Sequence, residues 1–268
     1  MFRSCTSLST PPSLPATNLA QGCYQAMFLG CRSLTSALNL PATGLAIRCY
    51  GHMFDGCTSL STAPALPATN LASDCYDWMF ANCTNLTSAP ALPATNLAQG
   101  CYAGMFDGCT SLSTAPALPA STLAQQCYWH MFYNCSNLIS APNLPATTLA
   151  ERCYERLFRG CTSLSTAPDL PATTLALSCY YGMFEFCSSL STAPALPATT
   201  LADYCYYSMF FNCSNLSSIE VAFTNWENNT TNAWVVGVAA NGTFTKPSVL
   251  TEYYNVDRIP SGWTVVNK

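Results

Sequence analysis

Seventeen cysteines are the most numerous reactive side chains of this sequence. They fall in two columns, one running Cys5, Cys31, Cys57 and onward, the other Cys23, Cys49, Cys75 and onward, at intervals of 26 residues. Three chemistries could use them. Zinc binding needs closely spaced Cys or His pairs, and no CxxC and no recurring histidine is present. A nucleophilic thiolate needs a base beside it. The two histidines, His52 and His130, occupy one repeated position three units apart and share no nucleophile. Disulfides are the third chemistry, and they depend on how the columns are spaced. No GxSxG, no Gly-rich phosphate loop and no carboxylate pair at a constant position occurs. These residues predict no enzyme, no metal and no cofactor.

The elements that position the cysteines follow from repetition. Met-Phe recurs at Met1, Met27, Met53, Met79, Met105, Met131, Met183 and Met209, and Leu157-Phe158 fills the gap, always 26 residues apart. Eight full units run from Met1 to Ser208, and a ninth loses the pattern after Ser218. Leu71, Ala72, Cys75, Tyr76, Met79, Phe80 and Cys83 are spaced as one buried helix face. Gly30, Gly56, Asn82, Gly108, Asn134, Gly160 and Asn212 suit left-handed helix C-caps, and Asn70, Thr122 and Thr148 suit N-caps. The other half-unit, such as Ser59 to Pro67, is too Pro-rich for a helix. It predicts a short strand around Leu60 to Ala63, since Pro64 and Pro67 remove ladder donors.

One helix and one strand per unit can bury their apolar faces only by stacking. Packed helices need about 8–10 Å and strands about 4.8 Å. The expected fold is therefore an α/β solenoid: a horseshoe with short strands on the concave side, short helices on the convex side and a C-terminal cap. On that spacing the cysteines lie too far apart for disulfides and read as free, buried thiols. Residues 1–218 form the expected solenoid and 219–268 the cap. In the cap, a short helix over Asn232 to Val238, a strand at Thr243 to Thr245 and a final strand over Ile259 to Val266 are expected. Trp226, Trp234 and Trp263 read as packing residues there.

Phe54-Asp55-Gly56-Cys57-Thr58-Ser59-Leu60 with Leu66-Pro67 resembles the BspA-like leucine-rich repeats of bacterial surface proteins. The resemblance covers residues 1–218. The unit is longer than is usual there, and Ala-Pro stands where β-branched strand residues are expected. The resemblance implies a leucine-rich-repeat scaffold used in adhesion at a cell surface or outside the cell. Met1 to Cys5 already lie inside a repeat, so the chain reads as part of a longer protein whose export signal lies outside this stretch.

Five columns vary between units: the two residues after Leu-Ala, the two after Cys-Tyr and the one after Met-Phe. Of the charged residues from Arg3 to Asp203, only Arg32 and Asp169 lie outside them, so the variable columns face water. They predict an outward helical stripe carrying Trp78, Trp129, His130, Tyr133, Tyr181, Phe186, Tyr204, Tyr207 and Phe211. Drift at solvated positions favours Lys, Glu and Gln, whereas exposed aromatics are enriched in binding surfaces. The charged residues of unit six interrupt the stripe, and Glu155 and Arg159 form an i,i+4 pair there. The expected function is recognition of a protein or glycan on another cell or particle. The alternative is a structural stalk of a surface or phage protein. A minor one is ice or mineral binding through hydroxyl columns such as Thr62, Thr114, Thr166 and Thr192, against which a curved face argues. Net charge −4 and the lack of a Lys/Arg cluster disfavour nucleic acid, and no apolar run is long enough to span a membrane.

Overall fold

The computed structural model describes residues 1–268 in full. Between Gly22 and Cys31 every backbone N–H has a partner, and the partners alternate. Gly22, Tyr24, Ala26, Phe28 and Gly30 donate to Ile47, Cys49, Gly51, Met53 and Asp55 of the next unit, at 2.7–2.9 Å. Cys23, Gln25, Met27, Leu29 and Cys31 donate three residues back within their own unit, at 3.0–3.2 Å. The second set closes overlapping four-residue turns. Gly22, Ala26 and Gly30 have positive φ, and each is the third residue of its turn, the signature of type II. The same arrangement recurs at Arg48, His52 and Gly56, at Asp74, Trp78 and Asn82, and in the later units.

This overturns the helical half of the expected α/β horseshoe. The structure contains no helix, and its only strands are β1 (Ser218–Glu220), β2 (Thr243–Lys246) and β3 (Thr264–Asn267). A helix cannot place a left-handed residue at every fourth position, because each one breaks the i to i−4 ladder. The glycines and asparagines expected as C-caps do take positive φ, but as turn residues. Asn70, expected as an N-cap, instead pairs with Gly44 and Asn96 in a column of single parallel bridges, as Thr122 does with Asn96 and Thr148 with Thr174. Of the helix expected over Asn232 to Val238, Asn232 to Gly237 is turn and none is helix.

The expected short strand shrinks to one bridge per unit, Ser36 to Thr62 to Ser88 and onward to Thr166. Proline explains the limit, since Pro64 and its equivalents remove the next donor. Where Ser218-Ile219-Glu220-Val221 replaces the Pro-bearing stretch, the column widens. Thr192 bridges Ser218 of β1, and β1, β2 and β3 form a parallel sheet in that order, with Ile219 opposite Phe244 and Phe244 opposite Val265.

Direct backbone hydrogen bonds hold the turn edge close to strand spacing, so the wide helical side that would curve a horseshoe is absent. Inside, two ring ladders run along the array. Phe2, Phe28, Phe54 and their equivalents to Phe210 stack at 5.6–5.9 Å. Tyr24 to Tyr206 stack at 5.8–6.1 Å. Trp234 closes both, 6.4 Å from Tyr206 and 6.1 Å from Phe210. It is fully buried, with its indole N–H on the Arg258 carbonyl at 2.8 Å.

All seventeen cysteines are free, but the expected reason changes. At hydrogen-bonded spacing, column neighbours come within the Cα range of a disulfide. In one column the thiols are occupied by the backbone: Cys31, Cys57, Cys83 and their equivalents to Cys213 donate S–H to a Phe carbonyl of the preceding unit at 2.9–3.2 Å. Burial raises the thiol pKa, to about 11 at Cys49 and about 12 at Cys57, which suppresses the reactive thiolate. Cys5 and Cys23 alone are exposed. Counting thiols with an aromatic disulfide reagent should therefore detect these two in the native protein and all seventeen after denaturation. Rapid native reaction of more than these two would contradict the buried columns.

Candidate functional site

The variable columns lie along the turn edge, not on a helix face. Two of them, occupied in the second unit by Arg48 and His52, are the left-handed positions. A large side chain there leans over the next unit. A Cβ built on Gly104 would stand 2.5 Å from the Trp78 indole, and one on Gly108 would stand 2.8 Å from the Asn82 amide oxygen. Side chains two units apart can therefore meet.

Trp78 crosses the small unit of Gly100, Ala103 and Gly104 and meets Trp129 edge-on at 6.0 Å and His130 at 6.5 Å. On its other side it stacks on His52 at 6.1 Å. His130 stacks on Tyr133 at 4.9 Å and lies 4.1 Å from Trp129. The two histidines thus flank one indole. A second cluster joins Tyr181 and Tyr207 at 4.9 Å, Tyr204 and Tyr207 at 6.0 Å, and Phe186 and Phe211 at 5.7 Å. Trp78, Trp129, His130, Tyr133, Tyr181, Tyr207 and Phe211 are half-buried, while Phe186 and Tyr204 keep 37% and 39% exposure.

Charges of units six and seven join these clusters. Arg156 lies over Tyr181 at 4.9 Å, and Arg159 lies over Tyr133 at 4.9 Å and Phe186 at 5.1 Å, within cation–π range. Arg159 also donates to the Tyr133 hydroxyl and pairs with Glu185 of the next unit at 2.6 Å. The expected Glu155–Arg159 pair does not form, because without a helix these side chains are not neighbours. Glu155 faces Arg152 at 3.7 Å and Arg156 at 3.9 Å instead.

At the other end of the first cluster is a depression of about 310 Å³, lined among others by His52, Asp74, Asp77, Trp78, Gln126 and Trp129. His52 bonds Asp55 through Nδ1 at 3.1 Å and faces Asp77 through Nε2 at 3.9 Å. Its pKa is raised, chiefly by the Asp55 hydrogen bond. Burial lifts Asp77 to about 6, and its Oδ1 has no hydrogen-bond partner. Arg48 pairs with Asp74 at 3.2 Å. Sequence reasoning missed this depression. Its polar residues stood in the same variable columns, but which units lean together was invisible without the turn geometry. No group of Cys, His, Asp and Glu is arranged to hold a metal.

Burial sets opposite pH trends at His130 and Asp107. His130 is lowered to about 3 by desolvation, then by Arg156 and Arg159, so it stays neutral. It binds fewer protons folded than unfolded, and its contribution to stability rises with pH from about 3 to its unperturbed range near 6.5. Asp107 is raised to about 7 by burial and by Asp55. Its stabilising contribution is complete below its unperturbed pKa near 4 and is lost as pH rises to about 7. Asp107→Asn should leave stability at pH ~4 unchanged and raise it at pH ~8 by about 1 kcal/mol after solvent screening. Urea unfolding at both pH values measures this, and equal stabilities of variant and wild type at pH ~8 would contradict it.

The family model for the BspA type leucine rich repeat region matches in 6 copies over residues 21–165 and 130–233. A crystal structure of a leucine-rich repeat protein from Bacteroides ovatus is 16% identical, covers 91% of this chain and 86% of its own, and has a TM-score of 0.27. None of the curated proteins matches. With most of its length covered by six copies of that repeat, the chain belongs to the BspA-type leucine-rich repeat family.

Proposed function

We propose that this repeat protein is a non-enzymatic recognition module at a cell surface or outside the cell, binding a protein or glycan through the aromatic stripe of its turn edge. The observation that carries the reading is contiguity. Aromatics from units three and five form one patch, those from units seven and eight another, and Arg156 and Arg159 of units six and seven join the two. Aromatics and Arg anchored among neighbours but still half-exposed make the favoured hot-spot composition at low entropic cost. Family membership agrees with this, since such repeats serve generally as scaffolds rather than catalysts.

One observation favours a second reading. The exposed hydroxyls of Thr62, Ser88, Thr114, Ser140 and Thr166 stand on consecutive parallel bridges, so they recur at strand spacing. The curvature invoked against lattice binding no longer has its helical cause. The prolines and alanines beside the column still interrupt it, and a freezing assay is expected to show no thermal hysteresis. Measurable hysteresis would favour the ice-binding reading.

A combined glycan and protein array, probed with wild type and with the Trp129→Ala, Tyr181→Ala, Tyr207→Ala variant, tests the stripe. Loss of three partly buried aromatics should weaken binding by at least about 10-fold. Full retention of binding by a folded triple variant would place the interface elsewhere.

A further inference from the structure

Resting on the stripe reading, we propose that the depression between Trp78 and Trp129 is a subsite for one or two rings of a neutral saccharide. Its size comes first. About 310 Å³ lies at the lower end of small-ligand sites, and it is open enough for a chain to run out along the stripe. The wall chemistry comes second. Trp78, with its faces covered by His52 and Gly104, presents an edge beside the Trp129 indole at 6.0 Å, and the two make an apolar corner against which the C–H face of a pyranose can lie. Around that corner stand side chains that accept and donate. Asp74 and Asp77 are acceptors, Arg48 is a donor, and Gln126 is both. A sugar hydroxyl both donates and accepts, so it can serve each of them.

Alternatives fit less well. A peptide anchor needs a deeper apolar pocket than one corner of two rings. An anionic sugar or phosphate would meet Asp74 and Asp77, of which only Asp74 is neutralised, by Arg48 at 3.2 Å. Asp77 supplies the strongest polar feature. Its carboxylate rests over Gly51, where a Cβ would collide with it, and its Oδ1 has no protein partner. That oxygen is turned inward, while Oδ2 faces His52 Nε2 at 3.9 Å and the side chain keeps 17% exposure at the rim, where a bound hydroxyl can reach it. His52, held by Asp55 and stacked on Trp78, fixes both the indole and the Asp77 side of the site.

The small unit between the tryptophans completes the site. Gly100, Ala103 and Gly104 are buried under their neighbours and leave the floor flat. Gly104 lies directly beneath the Trp78 ring, at 2.5–2.9 Å from where its Cβ would be. A larger residue there would lift the indole and close the depression.

Isothermal titration with maltose, cellobiose, lactose and chitobiose, on wild-type protein, tests the assignment. At least one should bind, with the affinity falling at least about 10-fold in Trp78→Ala and about 5-fold or more in Asp77→Asn and in Gln126→Ala. Gln126→Ala removes a solvent-reaching amide and guards against misreading a folding defect at Trp78. Thr166→Val, on the bridge column, should bind as wild type does. Equal affinity in the Trp78, Asp77 and Gln126 variants would overturn the site. If no disaccharide binds while array partners are still lost in the triple aromatic variant, the saccharide assignment falls and the stripe stands. If neither sugars nor array partners bind, both fall.

Discussion

The division of backbone donors at the turn edge is the constraint on which the rest depends. Half of the N–H groups close turns inside a unit and half leave for the next unit. In a helix all of them would stay home, and units would meet only through side chains at helical distance. Here they meet through backbone, near strand spacing. The ring ladders, the thiol-to-carbonyl column and the single-residue bridges follow from that distance. A constant frame is its natural consequence, because Cys, Tyr, Met and Phe each stack on their own kind.

Much of this was legible in the sequence, and the misreading has a definite cause. The repeat, the buried columns and the positive φ at Gly30 or Asn82 follow directly from residue types, whereas the free thiols were expected for a helical spacing the structure does not have. The helix did not. The apolar residues of Leu71 to Cys83 fall in pairs every four positions. A helix advances about 100° per residue, so a strict four-residue period drifts by about 40° per step and about 120° over three steps. A chain of four-residue turns keeps that period without drift. The spacing thus carried the signal, but a stripe of helical width absorbed it. At Arg48, Trp78 and Tyr204 nothing in the residue type announces a left-handed backbone, since Gly, and after it Asn, Asp and His, are the types enriched there.

The turn edge was legible in its composition and not in its connectivity. Aromatics and charges stood in the variable columns, but which of them meet depended on unit spacing. At helical spacing Trp78 and Trp129 would stand two helix widths apart. At hydrogen-bonded spacing they touch. Arg159 shows the same effect with charge. Its carboxylate is Glu185, one repeat further on, not Glu155 four residues back. Lateral pairs dominate wherever the lateral distance is the shorter one.

That lateral dominance bears on whether the variable columns record only drift. A side chain on a left-handed turn residue projects over the following unit, so its size is not free. Trp78 lies over Gly104, Asn134 over Gly160 and Arg156 over Gly182. At each of these glycines an added Cβ would be crowded by the leaning residue, so enlarging one unit restricts the next. Drift acting column by column and unit by unit would ignore these pairs. The surface is built from neighbouring units taken together, and a patch such as Trp78 with Trp129 exists only because the unit between them is small. A repeat array assembled in this way can vary its binding face by changing pairs of units while the frame beneath stays fixed.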